Sequence, residues 1–367
     1  MADRDLEFRP LYAVPPGETL EELLAEREVT QTELANRMGR PLKTINEIIR
    51  GKAAITPDTA IQLERVLGVR AGFWTDLERQ YREDQARVRE VQALSENTGW
   101  LDRFPLKDLR RLGHMPETRD RPTQMHYLLR FFGVGSVEAW ENVWLRPAAA
   151  FLRESAVFSV SKEATAAWLR AGSLEAGRIQ SEPFNRDAFH DVLSTARGLT
   201  RQDPEDFNQR LIDGCKSAGV AVVFLGPFAG TRAYGAAYWI NQNKAVIQLS
   251  NRYRTDDHLW FTFFHEAGHL LLHGRSGSFV DGKDVARAAG SKAEAEANQF
   301  ASDSLIPSSD WIRFLKSNPS TLTAVTRFAA EIGVSPGVVV GRLQHERVWP
   351  HTQGNGLKRT FDLEEQL

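Results

Sequence analysis

Two histidines stand four residues apart with a glutamate beside the first, in the stretch HEAGH from His265 to His269, inside an otherwise apolar run. On a helix, positions i and i+4 lie one above the other on one face. Both imidazoles therefore reach one small cation, and neutral imidazole is a good ligand for Zn2+. A cation held there polarises water, and Glu266 is placed to take the proton, which makes it the candidate general base. Five residues of this pattern also arise by chance, and a catalytic zinc needs a third protein ligand. The helical stretch at 291–302 supplies one. Glu294 and Asn298 share a face at i and i+4, with Glu294 as the third metal ligand and Asn298 as a hydrogen-bond partner for a ligand imidazole. Glu296 points about half a turn away and is the rival for the ligand role. His273, four beyond His269, is open to three roles: a fourth ligand, a donor to the transition state, or a hydrogen-bonding core residue.

These side chains need a rigid frame. Residues 259–272 read as a buried helix, which holds a ligand pair in place and keeps competing water away. Ahead of it the period of the sequence changes. GVAVVFL, at 219–225, is an apolar β-branched strand, and 233–240 and 244–250 flank Asn241-Gln242-Asn243 as the arms of a hairpin. The segment at 233–240 offers backbone to an extended peptide. Asp256 and Asp257 precede the buried helix, with Tyr253 and His258 near them, and either aspartate suits its N-cap.

A different chemistry is written near the start. A short amphipathic helix at 18–28 is followed by Thr30 and, three residues on, Glu33, the spacing of a capping box. Gly39 closes that helix, a third begins at Arg40-Pro41 with Ile45, Ile48 and Ile49 inward, and Thr56-Pro57 opens a fourth. A fifth starts near Ala71 with Phe73, Trp74 and Leu77 as its packing ridge. Two short helices about a glycine turn within a five-helix unit describe a helix-turn-helix. Its basic side chains gather at Arg37, Arg40, Lys43, Arg50 and Lys52 against Glu47 alone. In such a motif the second helix enters the major groove by its N-terminal side chains. Lys43, Thr44 and Asn46 are then the candidate base readers, with Gln31, Arg40, Arg50 and Lys52 on phosphates.

The chain has 367 residues, 42% hydrophobic and 26% charged, with nine tryptophans and twenty phenylalanines, enough for two or three cores. Its formal charge of −2 means that any nucleic-acid contact comes from a local patch. Cys215 is the single cysteine, which excludes an internal disulfide and a cysteine metal cluster. The N-terminal residues lack the apolar core of a signal peptide, and no apolar run approaches the roughly twenty residues that span a bilayer. The expectation is a cytoplasmic protein with no membrane partner. Its fold is mostly α with a small β-sheet: a helix-turn-helix domain with a connector helix at 1–94, a helical middle region at 95–217, an α+β domain at 218–345, and a tail at 346–367.

Two family resemblances follow from these residues. TQTELANRMG, TINEIIRGK and ITPDTAIQLERVLG resemble the Xre-type domain of HigA-like antitoxins. That resemblance implies operator DNA as a partner, a homodimer on a palindromic site, and, as an open matter, a toxin partner. WFTFFHEAGHLLLH, EAEANQFA, LIP and GVSPGVVVGRLQ are similar to the ImmA/IrrE metallopeptidase family from about 218 to 344. This implies a gluzincin-like fold, zinc endopeptidase activity, and commonly a transcriptional repressor as substrate; Gly268 also fits that family and lets a neighbouring backbone pack closely. The expected function is a DNA-binding regulator fused to a zinc endopeptidase that cuts a regulatory protein or itself. The alternative is a HigA-like repressor whose zinc domain senses a ligand or partner and cleaves nothing.

Overall fold

The computed structural model describes residues 12–145, 161–231, 233–250, 252, 254–274 and 291–360. Tyr253, the first eleven residues and the last seven of the tail lie outside the described residues. The chain is mostly helical, 66%, with one small three-stranded sheet. It divides into two compact units, one comprising residues 1–100 with 116–127, the other 101–115 with 128–367.

The first unit is built from α1 (Pro16–Glu26), α2 (Gln31–Met38), α3 (Leu42–Ile49), α4 (Pro57–Leu67) and α5 (Ala71–Glu96). Local chemistry accounts for the boundaries. The Thr30 hydroxyl accepts the Glu33 N–H at 3.1 Å, Gly39 ends α2 in the left-handed conformation at φ 63°, and Thr56 accepts the Thr59 N–H at 3.3 Å. Leu20, Leu34, Ile45, Ile48, Ala60, Leu63 and Trp74 form the dry centre. The ridge expected on α5 is only partly inward. Trp74 is fully buried, but Phe73, one residue (about 100°) away around the helix, is exposed and meets Trp74 only edge-on. Glu78 is buried farther along α5, where its carboxylate accepts the Ile55 N–H at 3.0 Å and the Arg82 Nε–H at 2.6 Å.

The second unit holds α6 (Leu106–Arg111), α8 (Val137–Trp140), α9 (Lys162–Arg178), α10 (Arg186–Leu199) and α11 (Pro204–Ser217) ahead of the sheet; α7 (Arg121–Phe132) begins in one unit and ends in the other. Strands β1 (Val220–Phe224), β2 (Gly235–Asn241) and β3 (Lys244–Leu249) lie in the order β1-β3-β2. β1 runs parallel to β3, and β2 pairs antiparallel with it, Ala237 opposite Ile247. β1 is buried along its whole length, which is why VAVVF shows no alternation. On β3, the fully buried Gln248 donates to the Trp168 carbonyl at 2.9 Å and accepts the Tyr238 hydroxyl at 3.0 Å, tying α9 to the sheet. Phe189, Leu193, Phe207 and Leu211 of α10 and α11 share one core with the sheet and with the helix that follows it.

That helix, α12 (Asp256–Gly268), buries Trp260, Phe263, Phe264 and Ala267, and continues as a π turn from His269 to His273. After it come α13 (Ser291–Leu305), α14 (Ser308–Lys316), α15 (Leu322–Ile332) and α16 (Pro336–His345). The N-cap of α12 differs from expectation. Thr255 takes the cap position, and Asp256 and Asp257 sit in the first turn, both buried. They are committed to distant partners: the Asp256 carboxylate accepts from the Ser335 hydroxyl and from the Arg359 N–H, and Asp257 pairs with Lys358 at 2.6 Å. Among the described residues no helix is long and apolar enough to cross a membrane.

Candidate metal centre and DNA-contact helix

α12 and α13 pack along each other with little between them. A β-carbon on Gly268 would stand 3.1 Å from the Phe300 ring and 3.3 Å from the Ala297 Cα, so glycine is what allows this approach. The close crossing sets Glu294 opposite the histidine face of α12. His265 Nε2 lies 3.0 Å from His269 Nε2, and the Glu294 carboxylate oxygens reach those two nitrogens at 3.4 and 3.1 Å. Among the described residues this is a group of three whose ligand atoms all fall within 4.8 Å of one another. The ligand atoms of a tetrahedral zinc with bonds of about 2.0–2.2 Å sit about 3.3 Å apart. Two imidazoles and one carboxylate at these separations fit that ion in both donor type and spacing.

The other sides of the ligands are also engaged. His265 Nδ1 is 2.9 Å from the Asn298 Oδ1, so an N–H on Nδ1 donates to the amide and leaves Nε2 bare toward the cluster. His269 Nδ1 meets His273 Nδ1 at 3.3 Å, and His273 Nε2 lies 3.0 Å from Glu296 Oε2. Glu296 thus turns to His273, while Glu294 faces both histidines of the pair. The two imidazoles that face it, His265 and His269, hold the Glu294 carboxyl well below the ordinary carboxylate range, so it stays anionic.

Glu266, one residue (about 100°) round the helix from His265, is buried against β2. Burial pushes its carboxyl above the ordinary value, while the neighbouring His265 and His269 and the Ala237 backbone N–H pull the other way. β2 passes so close that a β-carbon on Gly235 would lie 2.6 Å from the Thr262 Cγ2 and 2.8 Å from the Glu266 Oε1. Sequence reasoning missed this neighbour, because only the fold brings residue 235 beside residue 266.

In the first unit α2 and α3 stand about the Gly39 turn. Lys43 is fully projected, its side chain 83% exposed and 3.8 Å from Glu47, and Arg50 and Lys52 are exposed beside the end of α3. Thr44 and Asn46 are half-buried on α3. Gln31 opens α2 with its amide 3.4 Å from Glu21, and Arg40 donates through Nε to Gln62 at 2.5 Å, which holds it to α4. Leu42, the first residue of α3, is an exposed apolar side chain.

Residues 20–74 match the helix-turn-helix family model, and residues 215–344 match the model of the IrrE N-terminal-like domain, peptidase family M78. The chain joins an Xre-type helix-turn-helix domain to an IrrE-like peptidase domain. The helix-turn-helix domain is similar to an uncharacterized HTH-type transcriptional regulator, YddM, of Escherichia coli (strain K12), 36% identical over 63 residues, which are 17% of this chain and 67% of that protein. Two solved structures also align with it. An addiction module antidote protein of the HigA family from Coxiella burnetii is 28% identical, TM-score 0.21, covering 23% of this chain and 94% of that one. The Pseudomonas aeruginosa antitoxin HigA with the higBA promoter is 29% identical, TM-score 0.22, covering 23% and 92%. The IrrE-like domain contains every residue of the candidate metal centre, from His265 to Asn298.

Proposed function

We propose that this protein is a DNA-binding transcriptional regulator whose second domain is a zinc-dependent endopeptidase, acting on a regulatory protein or on its own chain. The observation that carries the peptidase reading is the convergence of the His265, His269 and Glu294 ligand atoms beside a buried Glu266. His265, His269 and Glu294 would hold the ion. When bound, zinc supplies a Lewis acid that polarises the scissile carbonyl and makes water acidic near neutral pH. Glu266, its carboxyl raised by burial and steadied by the Ala237 N–H, takes a proton from the attacking water on one oxygen and passes it to the departing amine nitrogen. β2 is an edge strand among the described strands, and a peptide laid along it as a further strand passes directly by Glu266.

The regulator reading rests on the match to the helix-turn-helix family and on the exposed basic residues at α3. Lys43, Thr44 and Asn46 read base edges, Leu42 contacts a thymine methyl, and Gln31, Arg50 and Lys52 meet phosphates. Arg40 supports that face through its bond to Gln62 and adds charge to it. A homodimer on a palindromic operator suits a single short recognition helix per chain. A cytoplasmic site of action suits a DNA partner.

Cleavage of the chain itself would fall between the two activities, in the connector at 81–121. α5 keeps that connector helical through Glu96, and the non-helical stretch at 112–120 is the part an endopeptidase can take in extended form. The test is incubation of the purified chain, alone and with repressor proteins or casein, with zinc and with a chelator. The expected result is chelator-sensitive products, including an N-terminal fragment ending within 112–120 if the chain is its own substrate. Absence of any chelator-sensitive product contradicts the peptidase reading and favours a zinc domain that senses without cutting.

A further inference from the structure

The turn between β3 and α12 carries an arginine that the chemistry of the metal centre does not use. The guanidinium carbon of Arg252 lies over the Tyr234 ring, 5.8 Å from its centroid. Arg252 is half-buried, and its Nη1 is buried without a hydrogen-bond partner. We propose that Arg252, backed by Tyr234, anchors an aspartate or glutamate side chain of the peptide substrate beside the cut. The proposal deepens the peptidase reading above and rests on it.

Arg252 differs from other arginines in the same kind of contact. Arg82, Arg170 and Arg342 also stand over aromatic rings, and each donates through Nε as well: to Glu78 at 2.6 Å, to the Phe131 carbonyl at 2.7 Å and to Glu346 at 2.9 Å. The Nη1 of Arg252 has no such acceptor among the described residues. The acids nearest to it in the chain are committed elsewhere, Asp256 to Ser335 and Arg359, Asp257 to Lys358. A buried donor left unpaired is destabilising, and native structures keep few of them outside places where a further group completes the bonding. The ring contact engages the face of the guanidinium and leaves its fork of N–H groups, whose geometry matches a carboxylate.

The place is that of a substrate subsite. Tyr234 immediately precedes Gly235, where a β-carbon would stand 2.8 Å from Glu266 Oε1. The Tyr234 carbonyl accepts the Ser250 N–H at 2.9 Å, and the buried Ser250 hydroxyl donates to the Ala233 carbonyl at 2.7 Å. These bonds hold the start of β2 against the segment that leads into Arg252. Along its other edge β2 has no partner among the described strands and can take a peptide as a further strand. A peptide residue laid opposite Tyr234 is the neighbour of the one opposite Gly235, beside the general base, so it falls within about two residues of the scissile bond. Directly opposed residues of paired strands stand about 5 Å apart between their β-carbons, and Tyr234 is 45% exposed. An acidic side chain there runs along the tyrosine ring to the guanidinium above it.

The test digests a library of short random peptides with the zinc-loaded full chain, as wild type, Arg252→Gln and Arg252→Lys. The peptides have amidated C-termini, so that every carboxylate is a side chain, and the products are sequenced by mass spectrometry. The expected result is Asp or Glu enriched at one position beside the wild-type cut. One such peptide is then compared with the same peptide carrying the corresponding amide in place of the acid. The wild type should favour the acid by roughly 10- to 100-fold in kcat/KM, Arg252→Lys by less, and Arg252→Gln should cut both forms alike. No acidic enrichment, an undiminished preference in Arg252→Gln, or an equal loss on both peptide forms overturns the anchor and leaves the peptidase reading standing. A wild type that cuts neither these peptides nor casein overturns the peptidase reading and the anchor with it.

Discussion

At the scale of single residues, the centre depends on which atom of each side chain faces inward. Glu294 and Glu296 are two positions apart on α13, yet one meets two imidazoles of α12 and the other meets His273. Gly235 matters for what it lacks. A methyl group there would stand 2.6 Å from Thr262 Cγ2 and 2.8 Å from Glu266 Oε1, so both side chains would have to shift. Gly235→Ala should therefore push the general base out of line, lowering cleavage by ~100-fold while zinc binding persists. Equal loss of zinc and activity would show that the change had damaged the whole site. The i, i+4 histidine pair and the Glu294–Asn298 pair were both legible in the sequence, because helical periodicity places them without further information. The distinction between Glu294 and Glu296 was open until α13 had a neighbour, and the π turn at His273 leaves no signature in residue types.

At the scale of elements, helix ends governed by adjacent residues were readable in advance: the Thr30 and Thr56 caps and the Gly39 turn satisfy groups within a few residues of themselves. The start of α12 was not, since its acids are held by the far end of the chain. Lys358 pairs with Asp257 at 2.6 Å, with side-chain exposures of only 11% and 7%, and Arg359 and Thr360 bridge to Asp256 and Thr255. The part of the tail at 355–360 is thus a strap over the N-terminal end of the ligand helix. Lys358→Ala leaves a buried carboxylate uncompensated, and should destabilise the second unit by about 3 kcal/mol in chemical denaturation. A loss below about 1 kcal/mol would mean that water reaches Asp257 and that the strap adds little to stability. Phe73 departs from expectation for a different reason. Its apolar character suggests the core, but α5 turns only one stripe inward, and Trp74 occupies it.

At the scale of the whole molecule, one chain carries a helix-turn-helix domain and an IrrE-like peptidase domain, and transcription is where their actions would meet. The net charge of −2 gives no sign of a nucleic-acid partner, and the DNA-contact face proposed at α3 was read from the local run of basic residues. If that face meets phosphates, Lys43→Ala combined with Arg50→Ala should weaken binding to a selected operator duplex. It should also reduce the slope of log affinity against log salt by about 1 for each phosphate no longer neutralised. An unchanged slope would remove DNA from the account. The central claim is that Glu266 does chemistry at an ion held by His265, His269 and Glu294. The most direct test is to measure zinc per chain and proteolysis together, for the wild type and for Glu266→Gln. The account predicts one zinc bound to each and cleavage by the wild type alone; cleavage by Glu266→Gln at the wild-type rate, or no zinc in either, would contradict it.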